Sequence, residues 1–317
     1  MELIKKRKNI LFAGAAIIAI LIAGSFIPYY FSLGNLTNVV RQSSVVAICA
    51  VGVTMVIIIQ GIDLSVGGII SLSAMVSGKL MLSGTNIFVC MLAGVAVGLL
   101  FGLFNGFMVA KIGVPSFITT LVVGQVAGGI ALVMSNGGSI GGFPDNYVFL
   151  GNGSFLGIPI SNYIMSVFVI IGTLFMAKTK MGSHIYALGG NEMVVRQEGI
   201  NTIRIKIIVF AMSGFFAACG GLLLSAQLDT VHPIQGEPYL LDTIAACVIG
   251  GVSMIGGEGK IYFALLGALI IGFLRNALNM LGMHPFYQNI IIGALIIAVV
   301  AVSVWNKIKK IKESKTF

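Results

Sequence analysis

Apolar runs of bilayer length, separated by short polar joints, dominate this 317-residue sequence. The run from Ile10 to Ile27 is long enough to span a hydrocarbon core, which takes roughly 17 to 25 helical residues. Comparable blocks follow near 45 to 59, 66 to 83, 87 to 109, 116 to 135, 163 to 177, 207 to 228, 242 to 255, 261 to 281 and 288 to 305. Counting a first span at 10 to 30, these blocks predict an all-α polytopic membrane protein of about ten transmembrane helices in one unit, residues 1–317. Composition closes off the soluble alternatives: only 9% of residues are charged and the mean hydropathy is +1.04, whereas soluble domains carry roughly 25% charged residues. The basic start and Ala23-Gly24-Ser25 imitate a cleaved signal, but the run is span length, so it reads as a retained first helix.

The net charge of +9 invites a nucleic-acid reading that its distribution denies. With the N-terminus cytoplasmic, ten spans return the C-terminus to the same side. Sixteen of the 19 Lys and Arg residues then fall there: Lys5, Lys6, Arg7, Lys8, Lys111, Lys178, Lys180, Arg196, Arg204, Lys206, Lys260 and the 307–315 cluster. Arg41, Lys79 and Arg275 are the exceptions. This is the positive-inside pattern of a plasma-membrane protein with both termini cytoplasmic. The third and eighth blocks are little longer than half a bilayer, so one or both are expected to be broken or re-entrant. Cys49, Cys90, Cys219 and Cys247 each stand alone in an apolar run, without zinc-ligand spacing, and read as small core residues.

No energy-transducing chemistry is visible. The nearest approach to a phosphate-binding loop, "MIGGEGKI" at 254–261, has Met254 where the first glycine belongs and Ile261 where the metal-holding hydroxyl belongs. His184, His232 and His284 are scattered, no metal-ligand pair or serine-nucleophile element occurs, and no catalytic residue is proposed. Asp63, Asp242 and Arg275 are the ionisable groups within apolar blocks, all near block ends, where burial costs less. The chain reads as a transport subunit, not an enzyme, with no cofactor of its own.

The stretch Gln60–Gly68, "QGIDLSVGG", places a carboxylate and three glycines between two apolar runs. Gly61, Gly67 and Gly68 would break the helix, and non-helical backbone at membrane depth is tolerated where protein or water receives it. Asp63 or Ser65 can cap a helix starting at Val66. Asp63 is therefore either a gate beside a pathway or a structural cap. Gln60, Asn105, Gln125 and Asn276 are polar positions within apolar blocks that could bond a passing solute or one another across helices. Phe117 and Phe286 read as ordinary membrane aromatics.

Two loops stand out. In "YALGGNEMVVRQEGIN", 186–201, Asn191 is a good N-cap, Glu192 suits the first turn and Gly199 can end the helix in the left-handed conformation. A seven-residue helix from 192 to 198 cannot hold itself in water. Met193, Val194 and Val195 would be exposed, so either a partner's groove receives them or the helix packs on its own membrane domain. The Gly-, Asn- and Pro-rich loop at 136–162 reads as a solvated connector or a docking surface on the opposite side.

At this point "QGIDLSVGGIISLSAMVSG" (60–78), "VPSFITTL" (114–121), "YALGGNEMVVRQEGIN" (186–201) and "DTIAACVIGGVSMIGGEGKI" (242–261) together resemble permease subunits of bacterial ATP-binding-cassette importers for monosaccharides, the ribose, xylose and galactoside group. The resemblance runs from about residue 35 to 303. It implies a type II importer-like fold and a permease dimer. The implied partners are a cytoplasmic ATPase that binds ATP and Mg, and an extracytoplasmic sugar-binding protein. It also implies that 186–201 is the coupling helix loop, with Gly189, Gly190, Asn191, Glu192, Val194, Arg196 and Gly199 as ATPase-coupling residues. Gln60, Gly61, Asp63, Ser65, Asn105 and Asn276 become gate or pathway candidates. The chain departs from the family pattern at Met193, Val194 and Val195, at Glu258 and at Arg275. A related permease for a branched-chain amino acid, nucleoside or signalling sugar, and an ion-coupled carrier working alone, are the alternatives.

Overall fold

The computed structural model describes residues 24–314, so residues 10–23 of the expected span at 10 to 30 lie outside the described residues, and 26–31 are turn. Twelve α-helices follow among the described residues. They are α1 (Leu33–Ile58), α2 (Val66–Leu82), α3 (Ile87–Phe107, extended by a π turn at Met108–Ile112), α4 (Ser116–Ser135), α5 (Asp145–Asn152) and α6 (Ile160–Lys178). Then come α7 (Lys180–Gly190), α8 (Glu192–Gln197), α9 (Thr202–Leu228), α10 (Glu237–Ile249), α11 (Ile261–Met280) and α12 (Pro285–Ser314). Six of these helices are long and apolar enough to cross a membrane. The chain is an all-α integral membrane protein.

Helix α1 is the axis of the bundle. Every residue from Ser43 to Ile58 is buried, as expected of a helix that is apolar all round. It starts twelve residues before the expected block at 45, through the polar stretch "LGNLTNVVRQSS". Those polar groups have partners elsewhere in the fold: Arg41 Nη1 donates to Asn152 Oδ1 at 2.6 Å, and Gln227 Nε2 donates to the Arg41 carbonyl at 3.0 Å and to Ser44 Oγ at 3.1 Å.

The closest helix pair is α3 against α9, and its cause is a four-residue glycine period. Gly94, Gly98, Gly102 and Gly106 line one face of α3 and are buried. A Cβ on Gly98 would strike the Gly214 carbonyl, on Gly102 the Phe210 carbonyl and on Gly106 the Ile207 backbone. Without side chains between them the two backbones touch, as small residues allow in lipid, where packing replaces the hydrophobic effect as the attraction between helices.

Helices α2 and α10 are the short members, with 17 and 13 residues. At 1.5 Å per residue they reach about 25 and 20 Å, less than a core of about 30 Å. The expected block at 242 to 255 is corrected at both ends: α10 begins at Glu237, and Gly250 and Gly251 stop it, leaving 250–260 without helix. Gly67 and Gly68 are also corrected: they lie inside α2 and serve contact, not breakage. Gly67 meets the Gly236 backbone and Gly68 the Gly124 backbone of α4.

Opposite the α7–α8 end, residues 136–162 fold down onto the bundle. Strand β1 (Ile140–Gly141) pairs antiparallel with β4 (Thr230–Val231), and β2 (Ser154–Phe155) with β3 (Ile158–Pro159). Buried Tyr147 on α5 donates its hydroxyl to the Leu222 carbonyl at 2.7 Å. Helix α12 returns antiparallel to α11, fastened by Gln288 Nε2 donating to Asn279 Oδ1 at 2.6 Å.

Candidate functional site

Helix α1 ends in a Schellman turn: the Gln60 amide bonds to the Ile57 carbonyl at 2.9 Å and the Gly61 amide to the Val56 carbonyl at 2.9 Å. Gln60 sits in the left-handed region, φ 64°, where glycine is usual. Its side chain accounts for the choice, since Nε2 donates to the Gly189 carbonyl at 2.9 Å. Gly189 packs directly on the Ile58 carbonyl, which also accepts the Gly257 amide at 2.9 Å. Tyr186 Oη donates to the Gly259 carbonyl at 2.7 Å. The end of α7, the end of α1 and the loop before α11 are thus locked at one junction. Gly61 and Gln60, singled out as pathway residues, stand beside Gly189 and Gly190, singled out for coupling.

From Gly61 to Ser65 the chain is without helix and runs along α4. The Ile62 amide donates to Ser116 Oγ at 3.1 Å, and the Leu64 amide to Thr120 Oγ1 at 2.9 Å. Asp63 is 1% exposed, so the lower cost expected near a block end is not what accommodates it. Three donors make the placement tolerable. Oδ1 accepts the Ser65 amide at 2.9 Å and Ser65 Oγ at 2.5 Å, and Oδ2 accepts Ser213 Oγ at 2.6 Å. Hydrogen bonds to a charged group contribute about 1.5–3 kcal/mol each, against an insertion cost of about 2.5–3.5 kcal/mol. Neither Asp63 nor Ser65 bonds an amide of the first turn of α2, so the expected helix cap is replaced by a local turn closed on Ser65. Asn105 Nδ2 donates to Ser65 Oγ at 2.9 Å, while Asn105 Oδ1 has no partner among the described residues.

The 186–201 segment is two helices, not one. Asn191 caps α8, its Oδ1 accepting the Met193 amide at 3.0 Å and the Val194 amide at 3.3 Å, and Gly199 takes φ 75° after it. Glu192 is held by Arg196 at 2.8 Å and by Lys206 of α9 at 2.7 Å. Partial burial works to raise its carboxyl, but Lys206 and Arg196 prevail and hold it below the ordinary range. Val195 is buried, at 4%, contrary to expectation. Met193 at 73% and Val194 at 50% remain exposed, beside a shallow open cleft lined by Arg196 and 199–203. The helix therefore packs partly on its own domain and still presents an apolar edge.

Asn276 does not join this site. It forms a reciprocal amide pair with Asn35 at 2.8 and 2.9 Å near the opposite end. Buried Asp242 and half-buried Arg275 form a fork, Nε donating to Oδ2 at 2.6 Å and Nη2 to Oδ1 at 2.7 Å. Their tolerance again rests on a partner, not on placement near a block end.

A bundle of bilayer-length helices with two short helices between them and one locked loop junction defines a polytopic membrane protein. Residues 35–300 match the model of the family described as branched-chain amino acid transport system / permease component, and the chain belongs to that family. The ribose import permease protein RbsC of Haemophilus influenzae is 42% identical over 301 residues, covering 94% of this chain and 93% of its own length. The D-allose transport system permease protein AlsC of Escherichia coli K12 is 38% identical, covering 90% and 89%. The xylose transport system permease protein XylH of Haemophilus influenzae is 32% identical, covering 88% and 91%.

Proposed function

We propose that this chain is the membrane-spanning subunit of an ATP-binding-cassette importer for a monosaccharide of the ribose, allose or xylose type. The family description names branched-chain amino acids, but relatives sharing 38–42% identity over nine-tenths of the chain carry the names of sugar permeases. That extended similarity is the observation that carries the reading. ATP and Mg are bound by a separate cytoplasmic ATPase, a binding protein delivers the sugar outside, and a second copy completes the pathway. The seat of the ATPase is α8, whose exposed Met193 and Val194 enter its groove. Described basic residues Lys111, Lys178, Lys180, Arg196, Arg204, Lys206 and Lys260 cluster at this end, which supports a cytoplasmic α7–α8 end in a bacterial plasma membrane.

Uptake of labelled ribose, allose and xylose into proteoliposomes with the ATPase and binding protein tests the proposal. Substituting Met193→Asp and Val194→Asp should lower ATP-driven uptake at least about tenfold, the loss of roughly 1.4 kcal/mol or more of partner binding, while the protein remains folded. Val195 is left intact because burying a charge there would test folding instead. Accumulation of sugar by the purified chain alone would overturn the proposal in favour of an ion-coupled carrier.

A further inference from the structure

Between β4 and α10 lies the segment His232–Gly236, "HPIQG", with Glu237 opening α10. Its depth follows from four glycines. Gly124, near the middle of α4, receives Gly68, and the neighbouring Gly67 receives Gly236. The Gly236 amide donates to Ser71 Oγ at 3.0 Å, a turn further along α2. The segment therefore dips from strand β4 to mid-bundle before α10 sets out.

At that depth two polar side chains, and the amide nitrogen of a third, lack protein partners among the described residues. Glu237 and Gln125 are exposed, with no hydrogen bond or ion pair from either side chain among the described residues. Gln235 Nε2 is buried and unpartnered, although its Oε1 accepts the His232 amide at 3.1 Å. Gln125 is on α4 beside Gly124, and the following Gly128 and Gly129 face open space. The first turn of α2 therefore has Gln125 on one flank and Glu237 on the other. A carboxylate facing hydrocarbon is costly, and Glu237 and Gln125 stand out as polar side chains among exposed Leu121, Val122, Val126 and Leu241. An aqueous surface is the environment that fits Glu237 and Gln125.

We infer that Glu237, Gln235 and Gln125 form a mid-membrane station on the transport path for a polyhydroxylated solute, an inference that rests on the monosaccharide reading above. A carboxylate accepts two hydroxyl protons, a free amide N–H donates to a ring or hydroxyl oxygen, and the second amide does both. A neutral sugar is held here long enough to be passed on.

The test joins labelling and transport. In proteoliposomes containing the full importer, Glu237→Cys and Gln125→Cys should react with a charged, membrane-impermeant thiosulfonate at least about ten times faster than Leu100→Cys on the outward face of α3, as water-facing and lipid-facing thiols differ. D-ribose should slow both. Glu237→Ala should lower uptake at least about tenfold, with Glu237→Asp recovering most of it and Gln125→Ala raising KM. Labelling no faster than at Leu100, or uptake by Glu237→Ala and Gln125→Ala equal to that of the unaltered protein, overturns the station. Fast labelling that ribose does not slow, in an importer that takes up ribose, also overturns it. If the unaltered importer takes up no sugar at all, the monosaccharide reading fails instead, and labelling still decides whether these residues face water.

Discussion

Gln60 carries two opposed demands. Its φ of 64° is a conformation that costs a non-glycine residue of order 1 kcal/mol, and its side chain recovers this by bonding Gly189. A Gln60→Gly variant separates them: stability should hold or rise slightly, while ATP-driven uptake falls because the link from the 186–201 segment to the helix break is cut. Unfolding midpoint and uptake are measured together, and unchanged uptake would show the link to be passive. Asp242 and Arg275 present a different balance. Removing one member of a buried pair costs about 3–5 kcal/mol, whereas replacing both with apolar residues is close to neutral. Arg275→Ala should therefore accumulate poorly, and the double variant Asp242→Leu with Arg275→Leu should recover membrane levels.

At the scale of elements, α8 is tethered through Glu192 to Lys206 and Arg196. Because the folded carboxyl titrates below its unfolded value, near 4.3, the tether is complete above that pH and is lost as pH falls through the folded value. Hydrogen exchange of amides 192–198, corrected for intrinsic rates, should show protection at neutral pH that disappears on acidification. Lys206→Met should move the loss to higher pH. Much of this element was legible in advance: Asn191 and Gly199 mark its ends through local chemistry, which sequence carries. The burial of Val195 was not, because it depends on where the return turn into α9 places that face. The start of α1 was missed for a similar reason. Arg41 and Ser44 read as part of a polar joint until Asn152 and Gln227, more than a hundred residues away, supply their partners. Gly67 and Gly68 look like breakers in one dimension and are contact points in three. The gating candidates Gln60 and Asp63 were visible as polar residues among apolar ones, but the residues of the re-entrant segment were hidden by a block boundary drawn five residues too late.

Across the whole molecule, lengths and charges agree. Six long helices, two short ones that meet mid-bundle and a folded cap on one end make a body with distinct ends. The described basic residues favour the end where α1, α7 and the 250–260 loop are locked together. If α8 seats the ATPase as proposed, a push there would reach the 61–65 segment through the Gln60–Gly189 bond and the Gly189–Ile58 contact, with Ser116, Thr120 and Ser213 as the next receivers.

The glycine period of α3 has a mechanical corollary. Where main chain abuts main chain from Gly98 to Gly106, about two turns, no layer of rotatable groups exists to absorb sliding, and a displacement of either rod would drive carbonyls into α-carbons. Those two rods must travel as one girder.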